Sequence, residues 1–149
     1  MGVSDTFFLY LSKYYDCLAY FFMNSSKCIV SKKFQVKVQD NLYYEVDMFN
    51  NIDFNVEDLK LLVETQKENF GLVLPVLVLC KEFTNTNFEL MSSLSKNQNN
   101  PYSKADAFVI YSLSQKILAN FYLRINKPER PTKFFNSKEE ALVWLKQYM

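Results

Sequence analysis

Two carboxylates two residues apart, Glu45 and Asp47, and two hydroxyl-bearing loops, 84-TNTN-87 and 112-SLS-114, are the residues whose type and spacing could do chemistry. Strand side chains repeat every second residue, so the two acids would share one face and could divide general acid and base duty. Thr84, Thr86 and Asn87, like Ser112 and Ser114, precede helical patterns, where free N–H groups could hold a phosphate or carboxylate. Each set also has an ordinary reading. The acids read as solvated side chains on a hairpin, and the loop residues read as N-caps, which is the favoured assignment.

What the sequence lacks excludes more. There is no histidine, so Ser-His and Cys-His catalysis, His-ligated zinc and histidine general bases are all absent. Gly2 and Gly71 are the only glycines, so neither a dinucleotide fingerprint nor a Walker loop can be written in the chain. No cofactor is expected. Cys17, Cys28 and Cys80 are widely separated and read as free buried thiols, which points to a reducing, cytoplasmic setting. The formal net charge of +1 names no partner.

The elements that would position these residues follow from pattern. Residues 34-FQVKV-38, 39-QDN-41 and 42-LYYEVDM-48 spell a β-hairpin. The run 55–71 opens on an Asn cap with Glu57 and Asp58 in its first turn and stops at Gly71, which predicts a helix with both ends marked. The continuous apolar runs 72-LVLPVLVLC-80 and 105-ADAFVIY-111 predict strands buried on both faces. Residues 85–101 predict a weak helix running into an Asn-rich loop, and 112–126 a second helix. Pro128 and Pro131 bound a hinge, 132-TKFF-135 reads as a short strand, and 137-SKEE-140 opens the last helix. Both hydroxyl-bearing loops then lie at one edge of the sheet, the usual ligand crevice of open α/β structures.

Ahead of this domain, 7-FFLYLSKYYDCLAYFFM-23 is too interrupted by Lys13 and Asp16 to span a bilayer and lacks a basic n-region. Residues 1–32 therefore read as an aromatic N-terminal extension, mostly helical, and 33–149 as the domain. The extension suits docking on the domain, on a second copy, or peripherally on a membrane; no transmembrane segment is expected.

The order of hairpin, helix, buried strand, short helix and A-x-A-F-V-I-x-S strand, followed by the tail 120-NFYLRINKPERPTKFFNSKEEALVWL-145, resembles the SpoIIAA-like group of STAS-related domains, small bacterial proteins. The resemblance covers about residues 33–149, with the tail its specific part. It implies an α/β fold with a mixed β-sheet of four to five strands covered by helices, and a non-enzymatic regulatory or protein-binding role. In the anti-sigma-factor antagonists of that fold, a serine in an Asp-Ser-Ser-Gly turn accepts phosphate. Thr86 in 81-KEFTNTN-87 falls nearest that position, but no Asp precedes it and no Gly follows, so a phosphorylation switch is not expected here.

In the helix 112–126, Ile117, Leu118, Phe121 and Ile125 are expected to face the sheet, leaving Lys116, Tyr122, Leu123 and Arg124 as the candidate partner surface. Arg124, Lys127, Arg130 and Lys133 recur every third residue, yet no stacking-aromatic motif accompanies them. They read as a solvated face near a helix end, and no nucleic acid is expected. Three function classes remain: an interaction module binding another protein or a second copy of itself, a carrier of an apolar or lipid-like ligand, and an enzyme of unrecognised type. An exposed apolar patch favours the first, an enclosed cavity of ~300 Å³ or more the second, and converging polar groups with perturbed ionisation the third.

Overall fold

Asp40 and Asn41 both take positive φ, 50° and 58°, and Leu42 N–H closes the turn on the Gln39 carbonyl at 2.8 Å. Two left-handed residues in succession match the twist of a tight hairpin, and Asp and Asn tolerate that region better than most residues. The computed structural model describes residues 27–82 and 84–149, so the expectations for the stretch 7–23 lie outside it. The turn joins β2 (Phe34–Gln39) to β3 (Tyr43–Met48), with Val36 opposite Val46. Phe34, Val36, Tyr44 and Val46 are fully buried on one face.

A strand not expected from the sequence, β1 (Cys28–Val30), pairs antiparallel with β2 and falls inside the stretch assigned to the extension. Three residues are too few to show alternation. Beyond the hairpin come α1 (Val56–Asn69), β4 (Leu74–Leu79), α2 (Phe88–Leu94), β5 (Ser103–Val109), α3 (Leu113–Phe121), β6 (Thr132–Phe135) and α4 (Lys138–Leu145). Among the described residues the sheet has six strands in the order β1-β2-β3-β4-β5-β6, one more than the four to five expected. β3 to β6 are all parallel, so a helix crosses between each successive pair.

Helix α1 is fixed at both ends. Asn55 accepts from Asp58 N–H, the Asp58 carboxylate accepts from Asn55 N–H, and Gly71 at φ +65° closes on the Gln66 carbonyl. Every residue of β4 is buried, and so is all of β5 except Lys104. Their side chains divide between two clusters. Val76, Val78 and Phe108 lie under α1, α2 and α3, whereas Leu77, Leu79, Ala105, Ala107 and Val109 pack against Ala141 and Leu145 of α4. No helix among the described residues is long and apolar enough to cross a membrane. Among the described residues Cys80 is a free thiol.

The carboxylates Glu45 and Asp47 do share a face, but Glu45 is not solvated: it is only 4% exposed. Lys138 at the start of α4 lies 2.8 Å from it, Lys37 3.3 Å, and the Gln39 amide donates at 3.3 Å. Asp47 is held by Lys81 at 2.9 Å. The sequence reading missed this because Lys138 is 93 residues away along the chain. Burial opposes the charged form of Glu45, but the Lys138 hydrogen bond and the Lys37 and Lys138 charges outweigh it and hold the carboxyl below its usual range. A depressed folded-state value contributes stability above the unfolded value, and that contribution is lost as pH falls through the folded one. Glu45→Gln should therefore cost about 1–2 kcal/mol at pH 7. Its melting temperature should converge with that of the parent below about pH 4 in a calorimetric pH series.

Candidate functional site

Three loops meet at the C-terminal edge of the parallel strands. Asn85 N–H donates to the Ile52 carbonyl at 2.9 Å, and the Asn85 amide donates to Asp53 at 3.1 Å, which ties the loop after β4 to the loop after β3. Gln115 ties it to the loop after β5. Its Nε2 donates to the Lys81 carbonyl at 2.7 Å, while its Oε1 accepts from Tyr111 N–H at 2.8 Å and from Ser112 N–H at 3.2 Å. Thr84, Thr86, Asn87, Ser112 and Ser114 are thus brought to one edge.

Within that edge their parts differ. Asn87 caps α2 by accepting from Leu90 N–H at 2.8 Å, and Ser112 caps α3 by accepting from Gln115 N–H at 3.2 Å. Ser114 is exposed, with its hydroxyl 3.0 Å from that of Ser112. Thr84 and Thr86 turn inward, and their buried hydroxyls have no partner.

Behind them lies a cavity of about 130 Å³ between the sheet and helices α1, α2 and α3. Met48, Leu62, Val78, Leu90 and Phe108 form much of its wall. Leu118 and the exposed Asn85 also line it, so it reaches the surface between α3 and the loop after β4. Toward the opposite end of the strands the lining turns polar, with Gln66, Asn100, Asp106 and Tyr122. Register places Asp106 beside Val76, two residues deeper than Phe108 beside Val78.

Asp106 is 2% exposed, and Arg130, itself almost fully buried, lies 2.6 Å away. Ser103 donates to its other oxygen, and Arg130 also donates to the Leu94 carbonyl at 2.9 Å. Burial, reinforced by the Asp106 charge and only partly offset by Arg130, pushes the Tyr122 phenol well above its ordinary value. Burial pushes the Cys80 thiol on the cavity wall up to about 12, which leaves it a packing group and not a nucleophile. Sequence reasoning missed this polar end, although an Asp within the apolar run 105-ADAFVIY-111 and an Arg between two prolines were a usable signal.

The partner-surface expectation for α3 needs correction. Gln115, Ala119 and Tyr122 face inward, and Tyr122 is 2% exposed, so it is no part of an outer surface. Ile117, Phe121 and Ile125 point outward at 63%, 42% and 58% exposure, and Leu118 at 36% is at the margin. Lys116, Leu123 and Arg124 are exposed as expected. The reason is local: Gln115 must reach Lys81 and small Ala119 lets the helix close on the sheet, which fixes the phase of the helix before its apolar residues can. A π-helical turn, Tyr122–Asn126, then drops the Tyr122 ring against Phe134, at 6.2 Å between centroids. The periodic cation stripe is also broken, since Arg130 is spent on Asp106.

Among the described residues, a mixed sheet with three helices on one face, one on the other and a cavity beneath the first three defines an α/β domain of the open-sheet class. The chain belongs to the DUF7793 family, a domain of unknown function, which it matches over residues 36–149. A solved structure similar to it is that of an uncharacterized protein of the DUF3478 family, with a SpoIIAA-like fold, from Shewanella loihica PV-4. The two share 12% sequence identity, the match covers 80% of this chain and 91% of that one, and the TM-score is 0.47. No curated protein matches the sequence.

The buried ion pair gives a test of this geometry. Removing one partner strands the other charge in an apolar setting, so Asp106→Ala or Arg130→Met alone should cost about 3–5 kcal/mol. The double variant Asp106→Leu/Arg130→Met should cost less than the two single changes together, read from urea unfolding midpoints.

Proposed function

We propose that the protein is a non-enzymatic interaction module that binds a protein segment with an apolar face and an acidic rim, through the outward face of α3. The observation that carries this reading is the row Leu113, Ile117 and Phe121, exposed at 74%, 63% and 42%, one helical turn apart. Phe88 of α2 extends the patch, its ring edge-on to Phe121 with centroids 6.3 Å apart. Large apolar side chains gathered in one place on a surface are the mark of a binding face, whereas scattered ones are not. From Tyr111 to Lys127 the chain carries Lys116, Arg124 and Lys127 and no acid, so the rim favours an acidic partner and disfavours a like-charged one. Against an enzyme reading stand the absence of histidine and the occupation of Glu45 by two lysines.

The test uses the full chain as bait in its native cell, beside two variants. Ile117→Ser/Phe121→Ser removes the apolar row, and Lys116→Glu/Arg124→Glu reverses the rim. Both should lose the partner retained by the parent while keeping its melting temperature to within a few degrees, since exposed substitutions usually change stability by about 0.5 kcal/mol or less. Mapping the bound segment of the partner should show apolar residues flanked by Asp and Glu. Retention of the same partner by both variants would refute the proposal. A parent that sediments as a dimer, with the Ile117→Ser/Phe121→Ser variant a monomer, would make the partner a second copy and remove the acidic-rim requirement.

A further inference from the structure

The cavity under α3 is apolar along its walls and carries buried hydrogen-bonding groups that nothing in the protein satisfies. Gln66 is 1% exposed, and neither its Oε1 nor its Nε2 has a partner. The Asn100 Oδ1 and the Tyr122 hydroxyl, on residues 5% and 2% exposed, are in the same condition, and all three residues line the cavity. Buried amides and hydroxyls are almost always paired in folded proteins, because each one left unpaired forfeits its solvation. Gln66 sits on α1, where an apolar residue would continue the face of Leu59 and Leu62, so its amide is costly unless something meets it.

We propose that this cavity is a binding site for a small neutral amphiphile, a single ring or short chain carrying one group that both donates and accepts a hydrogen bond. Size sets the first limit. At about 130 Å³ the cavity is well short of the ~300 Å³ of ordinary cofactor and drug pockets, so a long acyl chain is excluded. A dry apolar cavity of about 150 Å³ accepts a benzene-sized guest. Charge sets the second limit. Among the described residues the one Asp, Glu, Lys or Arg lining the cavity is Asp106, which is already paired with Arg130, so neither an anion nor a cation finds a free counter-charge there. The third limit is polarity: Gln66 Nε2 and the Tyr122 hydroxyl offer donors, while Gln66 Oε1 and Asn100 Oδ1 offer acceptors.

Phenol is the probe and benzene the control, titrated into the full-length protein by calorimetry and by protein-observed NMR. Phenol should bind one to one with a Kd at or below about 1 mM. It should bind at least about tenfold more tightly than benzene, because benzene leaves the polar groups unmet. Intermolecular NOEs should connect the ring protons of phenol to the Met91 and Ala119 methyl groups. Gln66→Leu should bring phenol and benzene to within about twofold of each other, and Ala119→Leu, which fills the cavity, should abolish both. If Ala119→Leu does not fold, the NOEs place the ligand without it. Absence of saturable binding by phenol would show that the cavity holds water only and would overturn the proposal. So would equal binding of the two probes to the parent, or NOEs confined to the exposed residues of α3.

Discussion

Strands β4 and β5 are apolar on both faces, and the remainder of the molecule is arranged to cover them. Each large side chain removed from water there contributes about 1.5–3 kcal/mol, so leaving either face bare would cost more than a domain of this size can bear. Three crossover helices close one face. The other is closed by α4, whose Ala141 and Leu145 are fully buried against Leu77, Ala105 and Ala107. The last helix is therefore not an appendage to the sheet, and its N-terminal Lys138 also supplies the charge that allows Glu45 to be buried beneath it.

Cover on the first face is incomplete, and one helix accounts for both consequences. Helix α3 presents Gln115, Ala119 and Tyr122 to the sheet and turns Ile117 and Phe121 to solvent. Turned the other way, its large residues would fill the space beneath it and leave a polar outer surface. As it stands, the same rotation leaves a cavity inside and an apolar row outside. Leu118 touches both, lining the cavity while partly exposed. The proposed partner face and the proposed ligand site are thus two sides of one helix, fixed in rotation by the Gln115 clasp on the loops after β4 and β5.

Much of this fold was legible in the residues. The hairpin, the capped helix α1, the two buried strands and the closing strand and helix follow from periods of 2 and 3.6 and from Asn, Ser, Gly and Pro punctuation, because those signals act within a few residues. β1 was not legible, since three residues cannot display alternation. The rotation of α3 was misread for a different reason: its apolar residues Ile117, Leu118 and Phe121 form the larger hydrophobic arc, but a hydrogen-bonded Gln and a close-packing Ala decide the contact. The loops bearing Thr84, Thr86, Ser112 and Ser114 were placed at the correct edge by topology alone. The Asp in the apolar run 105–111 and the Arg between two prolines were each a local signal, but their pairing across 24 residues, like the clasp of Lys138 on Glu45 across 93, is a long-range contact that no local pattern encodes.

The proposed partner face is the outward face of α3, and not the opposite side of the domain. Two photo-crosslinking derivatives of the full chain test it most directly. One carries benzoylphenylalanine in place of Ile117, and the other in place of Val143, which is 70% exposed on α4 across the sheet. Irradiated in the native cell, the first should give a discrete adduct whose crosslinked peptide is apolar with flanking acids, and the second should give none. An adduct formed from position 143, or formed equally from both positions, would contradict the account.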